Sequence, residues 1–381
     1  MSAPSPPRIA FYAPLKPVDH PVPSGDRQMA RLILRALAVT GPVEVASGLR
    51  VYDGSGDAAL QARLTARADA ECGRLLSLYA AAPERRPSLW LSYHVYYKAP
   101  DLIGPRIARS LGIPYVVAEA TRARKRLTGP WSAFAAAAEA AVEAADLVLC
   151  VSDRDRQAVE AYGPPGQRVA MLPPFLDLPP APEPSTAERG APGSPTRLLT
   201  VAMMRPGDKL ASYRLLAESL HLLAAQLPTA RPWTLDIVGD GPAAAEVSAL
   251  FAPFGPRVRL LGAGAPADLA GHYRAADLLV WPGLNEAFGM VYLEAQAHGL
   301  PVLAVDSAGT GTVIRDGVGG RLTGPTPQDF AAALAGLLAD PPALRSLGQG
   351  ARAHVEAHHG LPAAAERLRA LLTGLTRRAP A

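Results

Sequence analysis

The chain has 381 residues, 49% hydrophobic and 19% charged, with a formal net charge of +4. That length is too great for one ordinary core, so two domains are expected. The mild positive charge admits an anionic ligand or a membrane surface, while the lack of interleaved aromatic and basic residues argues against nucleic acid.

Strand-like runs alternate with helical ones from the start: Arg8 to Tyr12, Val43 to Ala46, Leu89 to Tyr93, Tyr115 to Ala118 and Leu147 to Val151. Such alternation predicts an α/β fold, a parallel sheet wrapped by helices. The first helix is expected over Asp26 to Val39, with Met29, Leu32, Ile33, Ala36 and Leu37 on one face. Residues 178–196, rich in proline, glycine and small polar residues, read as an exposed linker. A second series follows: Leu198 to Ala202, Thr234 to Val238, Val258 to Leu261, Leu278 to Trp281 and Val302 to Val305. The expected organisation is a first domain over 1–177 and a second over 197–361, with a cleft between them. Neither opens with GxGxxG, which disfavours a nicotinamide dehydrogenase. Two cysteines, Cys72 and Cys150, suit neither a disulfide framework nor a cysteine metal site and fit a reducing cytosol. No signal peptide or membrane span is expected: the start lacks a charged region ahead of an apolar stretch, and Glu139, Glu143 and Asp146 interrupt the alanine-rich segment 132–150. The expected location is the cytoplasm, with peripheral contact at the inner membrane face allowed.

The most informative segment is WPGLNEAFGMVYLEAQAHGLP, residues 281–301. An apolar run ending at Trp281 reads as a buried strand, Pro282 to Glu286 as the loop leaving its carboxyl end, and Phe288 to His298 as a helix closed by Gly299 and Pro301. Glu286 is then in a loop and Glu294 inside the helix. Ligands of open α/β sheets bind outside the carboxyl ends of strands, where a helix N-terminus offers unpaired N–H groups to an anion. After the strand Leu198 to Ala202, MMRPGDKLASYRLL sets Arg205 and Lys209 four apart in the turn into a helix. Two cations there suit a leaving diphosphate, because they stabilise charge that develops as the bond breaks. Only four lysines occur, Lys16, Lys98, Lys125 and Lys209, so this one carries weight.

The paired glutamates, with Ala287, Phe288 and Gly289 between them, resemble the motif of the retaining glycosyltransferases of family 4, the group 1 enzymes of GT-B architecture. The resemblance covers nearly the whole chain. It implies two facing Rossmann-like domains, with the last helix, about 362–381, crossing back onto the first. It implies metal-independent transfer of a hexose-like sugar, with retention, from a nucleoside-diphosphate sugar, UDP or GDP being the usual carriers, to a carbohydrate, glycolipid or other hydroxyl acceptor. Glu286 would touch the donor sugar, Glu294 the ribose, and Arg205 and Lys209 the pyrophosphate, helped by the backbone around Phe288, Gly289 and Met290. Gly239, in the turn of LDIVGDGP, and Gly262, in VRLLGAG, match segments along the nucleotide, and Gly25 is what remains of a glycine-rich loop after the first strand.

In the first domain Tyr93, His94, Tyr96, Tyr97 and Lys98 crowd the end of a strand, a candidate acceptor platform of aromatic faces and hydroxyls. Glu119 ends the next strand, ahead of Arg122, Arg124, Lys125 and Arg126, which would suit an anionic acceptor or lipid head group. Three departures from the family pattern stand out: Glu119 occupies the place of a customary histidine, the first glycine loop is reduced to Ser24 and Gly25, and Thr312 stands where a glutamate is usual. Two other readings fit the same fold: a sugar-nucleotide epimerase or hydrolase, and a non-catalytic sugar-nucleotide-binding subunit.

Overall fold

A computed structural model describes residues 8–22, 24–180, 194–226, 232–264, 266–307 and 309–378. The chain forms two compact units: unit 1 runs to Phe175 and takes in the chain from Leu361 onward, and unit 2 spans Leu176–Gly360. Most of the segment expected to be a linker, residues 181–193 of 178–196, lies outside the described residues.

Unit 1 alternates strand and helix in the order β1 (Ile9–Tyr12), α1 (Gly25–Thr40), β2 (Val43–Ser47), α2 (Ala58–Ala81), β3 (Leu89–Val95), α3 (Gly104–Leu111), β4 (Tyr115–Ala120), α4 (Ser132–Ala144), β5 (Leu147–Cys150), α5 (Asp153–Tyr162) and β6 (Arg168–Met171). Its sheet is parallel, ordered β2-β1-β3-β4-β5-β6. Every residue of β1, β4 and β5 is buried, because crossover helices cover both faces of such a sheet.

Unit 2 continues with β7 (Thr196–Val201), α6 (Asp208–Gln226), β8 (Trp233–Val238), α7 (Ala244–Phe251), β9 (Val258–Leu260), α8 (Pro266–Ala275), β10 (Leu278–Val280), α9 (Met290–Ala297), β11 (Val302–Val305), α10 (Thr310–Val313), β12 (Gly320–Thr323), α11 (Pro327–Ala339) and α12 (Pro341–His358). Its parallel sheet is ordered β12-β11-β10-β7-β8-β9. The last helix, α13 (Leu361–Leu372), belongs to unit 1 and packs on α1; beyond it the Arg378 amide donates to Asp146 Oδ1 at 2.6 Å.

The expected α/β class is therefore found, as two Rossmann-like units with six strands each rather than the five read from the sequence. The two strands missed, β6 and β12, are both sheet edges. Edge strands bury less, so RVAM and GRLT lack the apolar run that marks a central strand. In each sheet the strand order reverses once, between β1 and β3 in unit 1 and between β7 and β10 in unit 2. Such a switch point opens a crevice at the carboxyl ends, because the loops leaving its two strands turn to opposite sides. No helix among the described residues is long and apolar enough to cross a membrane.

Candidate functional site

At the switch point of unit 2, the loop behind β7 and the loop behind β10 meet. Lys209 stands in the first turn of α6, and its Nζ forms an ion pair with Glu286 Oε1 in the loop after β10. Trp281, buried at the end of that strand, donates from Nε1 to the same carboxylate oxygen at 3.3 Å, and Lys209 Nζ lies 5.4 Å from the centre of its ring. Two more hydrogen bonds stitch the loop to α6: Asn285 Nδ2 to Asp208 Oδ1 at 2.9 Å, and the Leu284 amide to Ser212 Oγ at 2.9 Å. The carboxylate is thus oriented by a cation and an indole, on a loop that side chains of α6 hold in place.

Local sequence explains why the loop takes this path. The fully buried ring of Tyr292 donates its hydroxyl to the Trp281 carbonyl at 3.1 Å, and the loop wraps around it. A Cβ on Gly283 would overlap the Tyr292 hydroxyl, and one on Gly289 would meet the ring at 2.6 Å. Both glycines also hold positive φ, 62° and 75°. Gly289 caps α9 without any side chain on the first N–H groups, which leaves donors of the kind that anions bind. Phe288 and Met290 are largely buried beside it. The helix begins at Met290, two residues later than expected, because Gly289 holds a left-handed conformation.

Glu294 stands inside α9, where Tyr273 donates to its Oε2 at 2.9 Å. Tyr273 itself stacks on His298, whose Nδ1 lies 2.8 Å from the Glu294 carbonyl. Gly239 follows β8 and its amide donates to the Gly262 carbonyl at 2.8 Å, joining the two turns at the carboxyl ends of β8 and β9. Beside these turns the apolar side chains of Met203 and Leu261 are 38% and 40% exposed. Arg205 lies exposed in the turn ahead of α6. The structure therefore brings Lys209 to Glu286, while Arg205 stays at the surface of the same turn.

In unit 1 the expected platform is only partly a surface. Tyr93 is buried in β3, where burial pushes its hydroxyl well above the ordinary range. Tyr96 and Tyr97 follow at the loop, their rings 5.5 Å apart. Arg122, expected to meet an anionic acceptor, is instead buried, pairing with Glu139 at 2.7 Å and Glu143 at 2.9 Å. Two internal carboxylates occupy its charge, which removes it from the accessible cations. Arg124 packs over Tyr162, and Arg126 and Lys98 both lie against Tyr97 and Trp131. His94 Nδ1 faces Asp26 Oδ1 at 3.1 Å and Glu119 Oε1 at 3.4 Å. Gly25 opens α1 just ahead of Asp26, with Ser24 as the cap accepting from the Arg27 amide at 3.2 Å.

Sequence reading missed Trp281, Tyr273 and Asp26 as partners of these groups. Trp281 adjoins the motif and could have been found; Asp26 looks like any acid in the first turn of a helix, where the dipole favours it.

Residues 195–340, most of unit 2, match the family model of the group 1 glycosyl transferases. A D-inositol 3-phosphate glycosyltransferase of Thermobispora bispora is 35% identical over 249 residues, 62% of this chain and 57% of that protein. In this and two other relatives of the same name, the chain spans little more than half of the relative's length at most, 49% in the other two. The structure of Anabaena HepE in complex with UDP and glucose covers 97% of this chain and 100% of its own, with a TM-score of 0.68 and 17% identity, a likeness of fold. A D-inositol 3-phosphate glycosyltransferase 1 of Catenulispora acidiphila is 30% identical over 321 residues, 78% of this chain and 75% of its own length. On that breadth of similarity, and on the family match in unit 2, the chain belongs to the family of group 1 glycosyl transferases.

Proposed function

We propose that the chain transfers a hexose-like sugar from a nucleoside-diphosphate sugar to a hydroxyl acceptor, with retention of anomeric configuration and without a metal. The observation that carries this reading is the Lys209–Glu286 pair at the switch point of unit 2, next to the bare N-terminus of α9. Lys209, with Arg205 from the same turn, would take the charge developing on the diphosphate, the role a metal fills elsewhere. Glu286 would hold donor-sugar hydroxyls and favour an oxocarbenium-like transition state. Glu294, steadied by Tyr273, would bind the ribose hydroxyls. The exposed apolar side chains of Met203 and Leu261 would border the base, for which UDP or GDP is the natural donor class. Retention fits a same-face mechanism in which the leaving phosphate takes the acceptor proton.

The acceptor side is drawn from unit 1. Its exposed cations, Arg124 and Lys125, favour a carbohydrate, glycolipid or polyol carrying or adjoining negative charge, and relatives named for inositol 3-phosphate support that class. The testing experiment is a thermal-shift screen of nucleoside diphosphates and their sugars, followed by NMR of the product anomer. A ligand that binds only the folded chain raises its stability by mass action. No shift with any uridine or guanosine diphosphate would sink the proposal, and an inverted product would remove retention from it.

A further inference from the structure

Unit 1 repeats, with other residues, the placement that unit 2 gives Lys209 and Glu286. Asp26 stands in the first turn of α1, behind β1, and His94 next to the end of β3; between these two strands the order reverses. Glu119, one residue from the end of β4, supplies a second carboxylate and is only 4% exposed. The two acids face His94 Nδ1 at 3.1 and 3.4 Å, which commits that edge of the ring and leaves Nε2 on the opposite edge. His94 and Glu119 both hold left-handed backbone, φ 59° and 61°, at the point where the β3–β4 register passes from Tyr93 with Ala118 to Val95 with Ala120. Such backbone is unfavourable for a residue with a Cβ and persists only where its surroundings enforce it. Here the enforced geometry turns one edge of a histidine toward two acids.

The geometry points to His94 as a ligand-binding cation of unit 1, an imidazolium fixed by Asp26 and Glu119 that donates from Nε2 to an anionic oxygen, phosphoryl or carboxylate, of an acceptor sugar. Asp26 and Glu119 are its positioning residues. The inference deepens the acceptor side of the function proposed above and rests on it.

Charge decides between a donor and a base. Burial works against the charged ring, but Glu119 and Asp26 outweigh it and hold His94 at about 9. In return burial, the largest single influence, pushes the Asp26 carboxyl up, and the hydrogen bond and charge of His94 together with Lys16 bring it to a net position below its ordinary value. Burial raises Glu119 despite the imidazolium. Lys16 faces Asp26, and Asp155, from the first turn of α5, faces both His94 and Glu119. A ring that stays protonated at neutral pH cannot accept a proton from a hydroxyl, but it makes a charge-assisted donor. From His94 a run of rings leads outward, Tyr96 at 5.1 Å and then Tyr97, against which Arg126 and Lys98 lie at 5.3 and 5.7 Å. These cations give the approach a sign that suits an anion.

Calorimetry of the full chain with glucose, glucose 6-phosphate and glucuronate tests the assignment. At least one anionic sugar binds about tenfold tighter than glucose, and the preference disappears in His94→Gln. The stronger of the two anionic sugars identifies the oxyanion. Equal affinity for all three sugars, or an unchanged preference in the variant, overturns the proposal. NMR of the native chain with ¹⁵N-labelled histidine covers the case in which His94→Gln misfolds: His94 stays an imidazolium from about pH 6 to about pH 8, and Asp26→Asn lowers its midpoint. A neutral His94 near pH 7 in the native chain overturns the proposal too. UDP binding measured on the same samples reports on unit 2, so failure of the donor reading and failure of this one give different results.

Discussion

Both units place an ion pair across the switch point of a parallel sheet, yet they build it in opposite ways. In unit 2 a lysine on a long, adaptable side chain reaches one carboxylate, with side-chain exposures of 27% and 17%. In unit 1 a short, planar ring presents one nitrogen to two carboxylates, one of them almost wholly buried, on backbone in an unfavourable conformation. The first arrangement can exchange partners: under the proposed function an arriving diphosphate would take Lys209 and leave Glu286 to a sugar. The second cannot exchange without leaving a buried charge unpaired, which costs several kcal/mol. Under the proposed function the first pair is broken by a ligand, while the second keeps its charge in place.

The sharpest way to break this comparison is Glu286→Gln. The variant should fold and bind nucleotide, yet lose roughly 100-fold or more in turnover, the loss expected when one transition-state contact is removed. Steady-state kinetics with the donor used by the native chain decide the matter, and near-native turnover would remove Glu286 from the site. The same variant releases Lys209 from its carboxylate, so affinity for a nucleoside diphosphate should hold or rise. A fall in that affinity would show that the pair is structural.

Next in size is Lys209→Ala. It should weaken binding of a nucleoside diphosphate by about 1.5–3 kcal/mol, as for one hydrogen bond to a charged group, while the nucleoside binds both proteins alike. Calorimetry showing equal losses for nucleoside and diphosphate would place Lys209 away from the phosphates.

A smaller effect separates the two pairs by pH. Folding raises His94 from its ordinary value of 6.5 to about 9, so its contribution to stability is full below the lower value and drains away as pH rises through the upper one. Hydrogen exchange of β3 and β4 should show the native unit 1 weakening over that alkaline window, and His94→Gln losing most of the dependence. A native profile that is flat there would mean that the ring is neutral in the fold.

The smallest effect belongs to the cations after β4, of which Arg124 and Lys125 are exposed and Arg126 is half-buried. Replacing Arg124, Lys125 and Arg126 by serine should raise the Michaelis constant for acceptor more than that for donor, and added salt should mimic the change, because exposed charges are screened within about 8–10 Å. An unchanged acceptor constant would make the run a solvated face.

The same contrast explains what the sequence revealed. Lys209 and Glu286 could be singled out one at a time, the lysine by its rarity and the glutamate by its neighbours, since each lies in a strand-loop-helix context with a strong apolar signal. Their contact could not, because 77 residues separate them and only the order of β7 and β10 brings them together. Asp26 and His94, 68 residues apart, left even less trace. An acid at a helix start and a histidine among tyrosines both have ordinary explanations, and no local pattern marks a left-handed residue such as His94 or Glu119 at the end of a strand. Arg122 shows the reverse error: it looks like part of a basic run, while Glu139 and Glu143 on α4 absorb it. Central strands were legible from their apolar runs, and of the four edge strands β2 and β9 were read while β6 and β12 were not.

Tyr292 has a bearing on how this chain could be altered. Because its single ring serves as the template for the loop from Gly283 to Gly289, the position of Glu286 is inherited from the core and not negotiated with a ligand at each encounter. Redesign of the sugar preference therefore has a natural boundary. Ala287, next to the carboxylate and exposed, is open to variation, whereas changes at Gly283, Asn285, Gly289 or Tyr292 would move the carboxylate along with whatever else they were meant to change, Asn285 because it holds left-handed backbone at φ 56° and binds Asp208. The loop can take new contacts at its tip only so long as the ring beneath it stays the same size.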